Sequence, residues 1–303
     1  MKWLASLCVL ILCAVAHSTS SASDAASAST EYVSVKGVRI AYRSIGDGAP
    51  LLLATRLRGT IDTWDPLFLD LLARKHRVIT FDYPGIGYSE GSMPDDLGAV
   101  ASTVASLAAE LKLKSFTIVG WSWGGLVAQT LAVEHPQLID AVILIATNPP
   151  GEVPYPASKA FLDRAMKPVN DLADEEVLFF EPADADSRAA AKRSHERIHA
   201  RSGVTEHIPS RMEQFQPYFV AAQSFRADKA DLRGRFSSSS VPKLLITGDN
   251  DTSTPGQNWF PLMRQLRNVQ LIMYSQTGHA PQHQHPERSV SHIETFLLQK
   301  HSK

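Results

Sequence analysis

Cysteine is nearly missing from this chain: among 303 residues the only thiols are Cys8 and Cys13. Both fall within the first sixteen positions, where Lys2 precedes an apolar run from Leu4 to Val15 and Ala14-Val15-Ala16 offers small residues for a cleaving protease. A positive start, a short apolar stretch and a small-residue site predict a secretory signal peptide over residues 1–16 and a secreted or periplasmic destination. Cleavage there leaves no thiol, no disulfide and no cysteine metal site, so stability must come from the core. An excess of charge of one sign is lacking too. Thirty Lys and Arg face 31 Asp and Glu, and such a balance supplies no basic field to concentrate nucleic acid or hold an anionic membrane surface. Long apolar runs are absent as well: Leu4 to Val15 is too short to span a bilayer, so no stable membrane insertion is expected after signal cleavage. No internal repeat is visible. Small-molecule chemistry is what these absences leave open.

What is present is the composition of a globular domain, with 44% hydrophobic and 20% charged residues, which confines expected disorder to the Ser/Ala-rich lead-in at 17–30. Alternation around Lys36-Gly37, from Tyr32 to Tyr42, predicts a hairpin. Unbroken apolar segments at Leu51 to Ala54, Val78 to Phe81, Ser115 to Val119, Ala141 to Ile145, Lys243 to Thr247 and Val269 to Tyr274 read as strands, most of them buried on both faces. Helices are expected after Asp65-Pro66, from about Asp96 to Leu111, after the serine turn at 120–125, around Asn258 to Leu266, and near the C-terminus with Val290, Ile293 and Leu297 inward. Between 149 and 240 the alternation stops and helices follow, notably Asp186 to Arg201 and Ser210 to Phe225. The fold class is therefore α/β: a mostly parallel eight-stranded sheet with helices on both faces, its core at 31–148 and 241–303, interrupted by a helical insertion at 149–240.

Ligands of such sheets bind beyond the carboxyl ends of the strands, and three loops there carry chemistry. Gly120-Trp121-Ser122-Trp123-Gly124-Gly125 lies between a strand and a helix, so small residues allow a sharp turn that exposes a serine hydroxyl to the helix amides. A serine needs a base, and the base needs a carboxylate to fix its tautomer. Gly248-Asp249-Asn250-Asp251 offers two acids, and Gly278-His279 offers the base.

With Asp82-Tyr83-Pro84-Gly85-Ile86-Gly87-Tyr88-Ser89 added, these ordered motifs make the chain, from about Tyr32 onward, resemble the α/β-hydrolase superfamily, in its lid-bearing esterase and haloperoxidase-like branch. The resemblance implies Ser122 as nucleophile, Asp251 as orienting acid and His279 as base, on a small-molecule acyl substrate, with no metal or organic cofactor. Where the family has His-Gly after its third strand this chain has Thr55-Arg56. A backbone amide needs no particular side chain, so Leu57 N–H and Trp123 N–H are the implied oxyanion donors. Trp121 and Arg56 are candidate substrate contacts: aromatic rings beside the serine favour an acyl or ring-bearing substrate, and an arginine suits an anionic one, although one tryptophan is expected in the core and exposed arginines are usually solvated.

Two other readings compete. His195-Glu196-Arg197-Ile198-His199 spells a zinc-hydrolase pattern, yet Lys192, Arg193 and Arg201 oppose a dication and the sequence places no third ligand. A hydrolase-like fold can also bind a ligand without turning it over.

Overall fold

The computed structural model describes residues 24–300; the signal-peptide reading lies outside them. Lys36 and Gly37 both take positive φ, the geometry of a two-residue hairpin turn, and join β1 (Glu31–Val35) to β2 (Val38–Ile45). The apolar segments supply β3 (Ala49–Ala54), β4 (His76–Phe81), β5 (Phe116–Trp121), β6 (Ile139–Ile145), β7 (Lys243–Gly248) and β8 (Val269–Tyr274). The eight strands lie in the order β1-β2-β4-β3-β5-β6-β7-β8, and only β2 runs against the rest. From β3 the chain steps outward to β4 and then returns to the other side of β3 with β5, so the strand order reverses there and opens a crevice at the strands' carboxyl ends.

Asp65 caps α1 (Pro66–Ala73) by accepting from Leu67 N–H, and Asp96 caps α2 (Leu97–Glu110) through Ala99 N–H. Helix α3 (Trp123–Glu134) is buried from Trp123 to Ala132. Between β6 and β7 stand α4 (Lys159–Ala165), α5 (Leu172–Phe179), α6 (Ala185–His199), α7 (Val204–His207), α8 (Met212–Ala227) and α9 (Leu232–Ser238). The chain ends on α10 (Pro281–Gln284) and α11 (Pro286–Lys300). Alternate side chains of the strands feed two cores: Leu51, Leu53 and Val78 meet Phe68, Ile293 and Leu297 of α1 and α11, whereas Leu52, Ile79 and Ile118 meet Val100, Val104 and Val127 of α2 and α3. The mostly parallel eight-stranded sheet with helices on both faces is the architecture its pattern predicts. Among the described residues no helix is long and apolar enough to cross a membrane.

Two expectations are corrected. The helix around Asn258 to Leu266 is a 3-10 turn, Gly256–Leu262: Pro261 withholds an N–H, and Asn258 is occupied bridging Asn148 Oδ1 and Tyr155 O, each at 2.8 Å. The part of the lead-in within the described residues, from Asp24 to Thr30, is packed and not free: Ala25 and Ala28 are buried, and Ala25 N–H donates to Asp70 at 2.7 Å.

Candidate active site

Ser122 closes β5 with φ 55° and ψ −118°, a conformation costly for a residue with a Cβ and held from both sides. Its N–H donates to Ile145 O at 2.9 Å, and its carbonyl accepts from Gly125 N–H at 2.8 Å. The turn is this tight because a Cβ on Gly120 would strike the Gly124 backbone, and one on Gly124 would strike the Ala54 and Thr55 carbonyls. The hydroxyl lies 2.8 Å from Nε2 of His279, whose Nδ1 lies 2.9 Å from Asp251 Oδ1 and 3.0 Å from Oδ2. All three side chains are buried. Burial pushes the Asp251 carboxyl up, but His279 and the donors of Thr254 outweigh it and leave the group below its ordinary value. Thr254 supplies its N–H at 2.8 Å and its hydroxyl at 2.9 Å, and Ser253 N–H adds a third donor at 2.9 Å. The acid is therefore ionised and pinned. Asp249 is exposed and accepts instead from Thr277 N–H at 3.1 Å.

Two chambers meet at the serine. The larger, about 230 Å³, is lined by Leu57, Trp123, Leu126, Phe219, Ala222 and Phe225 among others and is almost wholly apolar. The smaller, about 30 Å³, holds Arg56, Phe161, Asn170, Phe179 and His279. Leu57 N–H has no partner among the described residues, and Trp123 N–H is the first amide of α3, free of intrahelical bonding. Both residues border the serine.

The flanking residues separate. Trp121, a candidate substrate contact by sequence, is buried in the core and lines neither chamber at the serine. Its ring is buried against Trp64, Phe179 and His283, and its Nε1–H donates to His279 O at 2.9 Å, so it braces the loop that carries the base. Trp123 lines the larger chamber, with Nε1–H donating to Tyr218 O on α8 at 3.1 Å. Arg58 is buried and Arg56 is half-buried. The Arg56 guanidinium lies 4.5 Å over the Phe179 ring and donates to Leu57 O at 2.9 Å, and burial lowers it to about 10, still protonated near neutrality. Arg58 donates to the carbonyls of Ala165, Lys167, Pro168 and Pro209.

His283 is buried in α10 and accepts from Asp65 N–H at 3.2 Å, and burial lowers it to about 4. The stretch from Asp82 to Ser89 is structural, with Asp82 accepting from Ile61 N–H at 2.7 Å and Tyr88 N–H at 2.9 Å. The sequence reading misses Thr254 and the α8 face. The first was legible as a hydroxyl three residues past an acid. The second was legible as an apolar stripe, Phe215, Phe219, Ala222 and Phe225, but a stripe does not say which cleft it faces. His195 and His199 do not line the chambers at the serine; Glu175 of α5, which the sequence does not place beside them, has its Oε2 2.8 Å from His195 Nδ1.

Residues 50–286 match the family described as alpha/beta hydrolase fold. A pimeloyl-[acyl-carrier protein] methyl ester esterase of Nitrosomonas europaea is 26% identical over 83% of this chain and 97% of its own length. A putative carbamate hydrolase of Rhizobium rhizogenes is 26% identical over 83% and 93%. Among solved structures, an alpha/beta hydrolase fold protein from Chitinophaga pinensis superposes with a TM-score of 0.80 at 27% identity, over 91% of this chain and 99% of that one.

Proposed function

Because the chain belongs to the α/β-hydrolase fold family, we propose that it is a serine hydrolase that cleaves a carboxylic ester, lactone or related acyl bond through an acyl-enzyme. The observation that carries this reading is the continuous path from Ser122 Oγ to His279 Nε2 at 2.8 Å and from His279 Nδ1 to Asp251 at 2.9 Å. As Oγ attacks the carbonyl carbon, its proton passes to Nε2, and the ionised Asp251 stabilises the resulting imidazolium. The carbonyl oxygen takes up the electron pair as an oxyanion between Leu57 N–H and Trp123 N–H. His279 then protonates the departing alkoxide, water replaces it, and the same shuttle runs in reverse to free the acid.

The helical segment 149–240 acts as a lid, since its Phe219, Ala222 and Phe225 wall the larger chamber and its Phe161 and Phe179 wall the smaller. An apolar acyl group suits the larger chamber, and Arg56 faces a compact, polar or anionic group in the smaller. The substrate class agrees with the esterase and carbamate-hydrolase names of the relatives. Export to a secreted or periplasmic compartment completes the reading, motivated by the segment at 1–16.

The test is labelling with a fluorophosphonate followed by peptide mapping, alongside p-nitrophenyl ester hydrolysis. A stoichiometric adduct on Ser122 is expected, and Ser122→Ala should abolish turnover while leaving the melting temperature nearly unchanged. Ester hydrolysis that survives Ser122→Ala would overturn the mechanism.

A further inference from the structure

We propose that Glu175, His195 and His199 form a divalent transition-metal site that fastens α5 to α6. The inference is independent of the hydrolase reading. His195 and His199 stand one turn apart on α6, and their ring centroids are 4.2 Å from each other. Glu175 on the facing helix presents both carboxylate oxygens to them, Oε2 at 2.8 Å from His195 Nδ1 and Oε1 at 3.9 Å from His199 Nε2. One ligand atom from each of the three residues lies within 4.8 Å of the others. Ligands of a tetrahedral zinc ion with bonds of about 2.0–2.1 Å stand roughly 3.3 Å apart, so small side-chain adjustments bring these atoms into range. Two imidazoles and a carboxylate are a borderline donor set that suits Zn²⁺ and its neighbours and not Mg²⁺ or Ca²⁺. The three side chains are partly exposed, at 20 to 29%, which leaves room for water to complete the shell.

The charge objection raised by the sequence weakens in three dimensions. Arg197 forms a bidentate pair with Asp65, Arg201 lies 3.6 Å from Asp62, Lys192 lies 4.0 Å from Glu196, and Arg193 is exposed, where solvent and salt screen it. Arg56, which shares a small cavity with Glu175 and His199, donates to Leu57 O and lies over the Phe179 ring, contacts that fix its position but leave its positive charge near the site. Glu196, the residue that a zinc hydrolase of this pattern would use as base, has a 61% exposed side chain turned to Lys192. The site is therefore a fastening and not a second reaction centre. Its position gives it a consequence: one turn beyond Glu175, Phe179 walls the smaller chamber, and Phe179 O accepts from Ala280 N–H at 2.8 Å, next to the base. The three ligands are positioning residues that set the wall beside His279.

The test uses the whole mature protein, stripped with chelator, dialysed, and titrated with Zn²⁺ by calorimetry and with Co²⁺ by visible absorption, in wild type and in Ser122→Ala. One equivalent per chain is expected in both, with the ligand-field bands of a low-coordinate Co²⁺ centre and an upward shift in melting temperature. His195→Ala, His199→Ala and Glu175→Gln should each weaken Zn²⁺ binding more than about tenfold while keeping a native circular dichroism spectrum. Absence of saturable binding in the wild type, or affinity retained within about twofold in the His195→Ala/His199→Ala double variant, would overturn the site and leave the hydrolase reading standing.

Discussion

Packed against Trp64 and Trp121, His283 must be neutral to accept from Asp65 N–H, because a protonated ring has no lone pair to offer. Burial lowers its folded value to about 4, against an unfolded value near 6.5. Between these the unfolded chain binds a proton and the folded chain does not. Stability is therefore full above pH 6.5 and falls as the pH drops toward 4, by about 1.4 kcal/mol per unit and on the order of 3 kcal/mol in total. Buried Asp82 works in the opposite sense: desolvation raises it to about 7, so its folded form holds a proton that the unfolded chain releases above its lower value. The two slopes oppose each other in the wild type, and only a difference measurement isolates the histidine. The urea-denaturation stability advantage of wild type over His283→Gln should shrink steadily from pH 6.5 to pH 4. An advantage that stays constant across that window would refute the assignment.

Arg58 shows how one side chain holds an element pair that the sequence does not reveal. Taking positive φ in the loop after β3, it reaches the carbonyls of Ala165 at the end of α4, Lys167 and Pro168 just beyond it, and Pro209 before α8, at 2.6 to 2.9 Å. Arg58→Met strands these carbonyls, and a loss on the order of 3 kcal/mol is expected in thermal or urea unfolding. Since α4 and α5 carry Phe161 and Phe179 to the serine, KM should rise as well. Arg58→Lys should restore little, as an ammonium cannot span the fork of acceptors. A Lys variant as stable as wild type would show that charge alone suffices. The same example explains what was legible. Sheet strands, α2, α6 and α8 announce themselves by apolar runs or stripes of sufficient length. Helices α4, α5, α7 and α9 span only four to eight residues, too few for a period to stand out, and only caps such as Ser158 and Asp171 mark them. Ser122 and His279 were readable from glycine-bounded strand ends. The burial of Arg56, Arg58 and Trp121, and the approach of Glu175 to His195, depend on partners tens of residues away that no local pattern encodes.

At the scale of the molecule, the strand reversal at β3 and β5 puts Leu57 and Ser122 on adjacent strand ends, and helices between β6 and β7 help to wall one large apolar chamber and one small chamber that both border Ser122. On the proposed function, an ester would divide at its carbonyl there, with the bulkier apolar portion in the chamber of about 230 Å³. Each methylene moved from water into that chamber contributes about 0.8 kcal/mol, or about fourfold in kcat/KM when the transition state retains the contact. Across p-nitrophenyl esters of increasing acyl length, kcat/KM should climb by about that factor per carbon until the chamber is full and then fall. Ala222→Trp, which adds a ring to the wall contributed by α8, should move the maximum to shorter chains. A profile that is flat in acyl length, or a maximum indifferent to Ala222→Trp, would mean that the acyl group does not enter the larger chamber and that specificity is read on the Arg56 side of the serine.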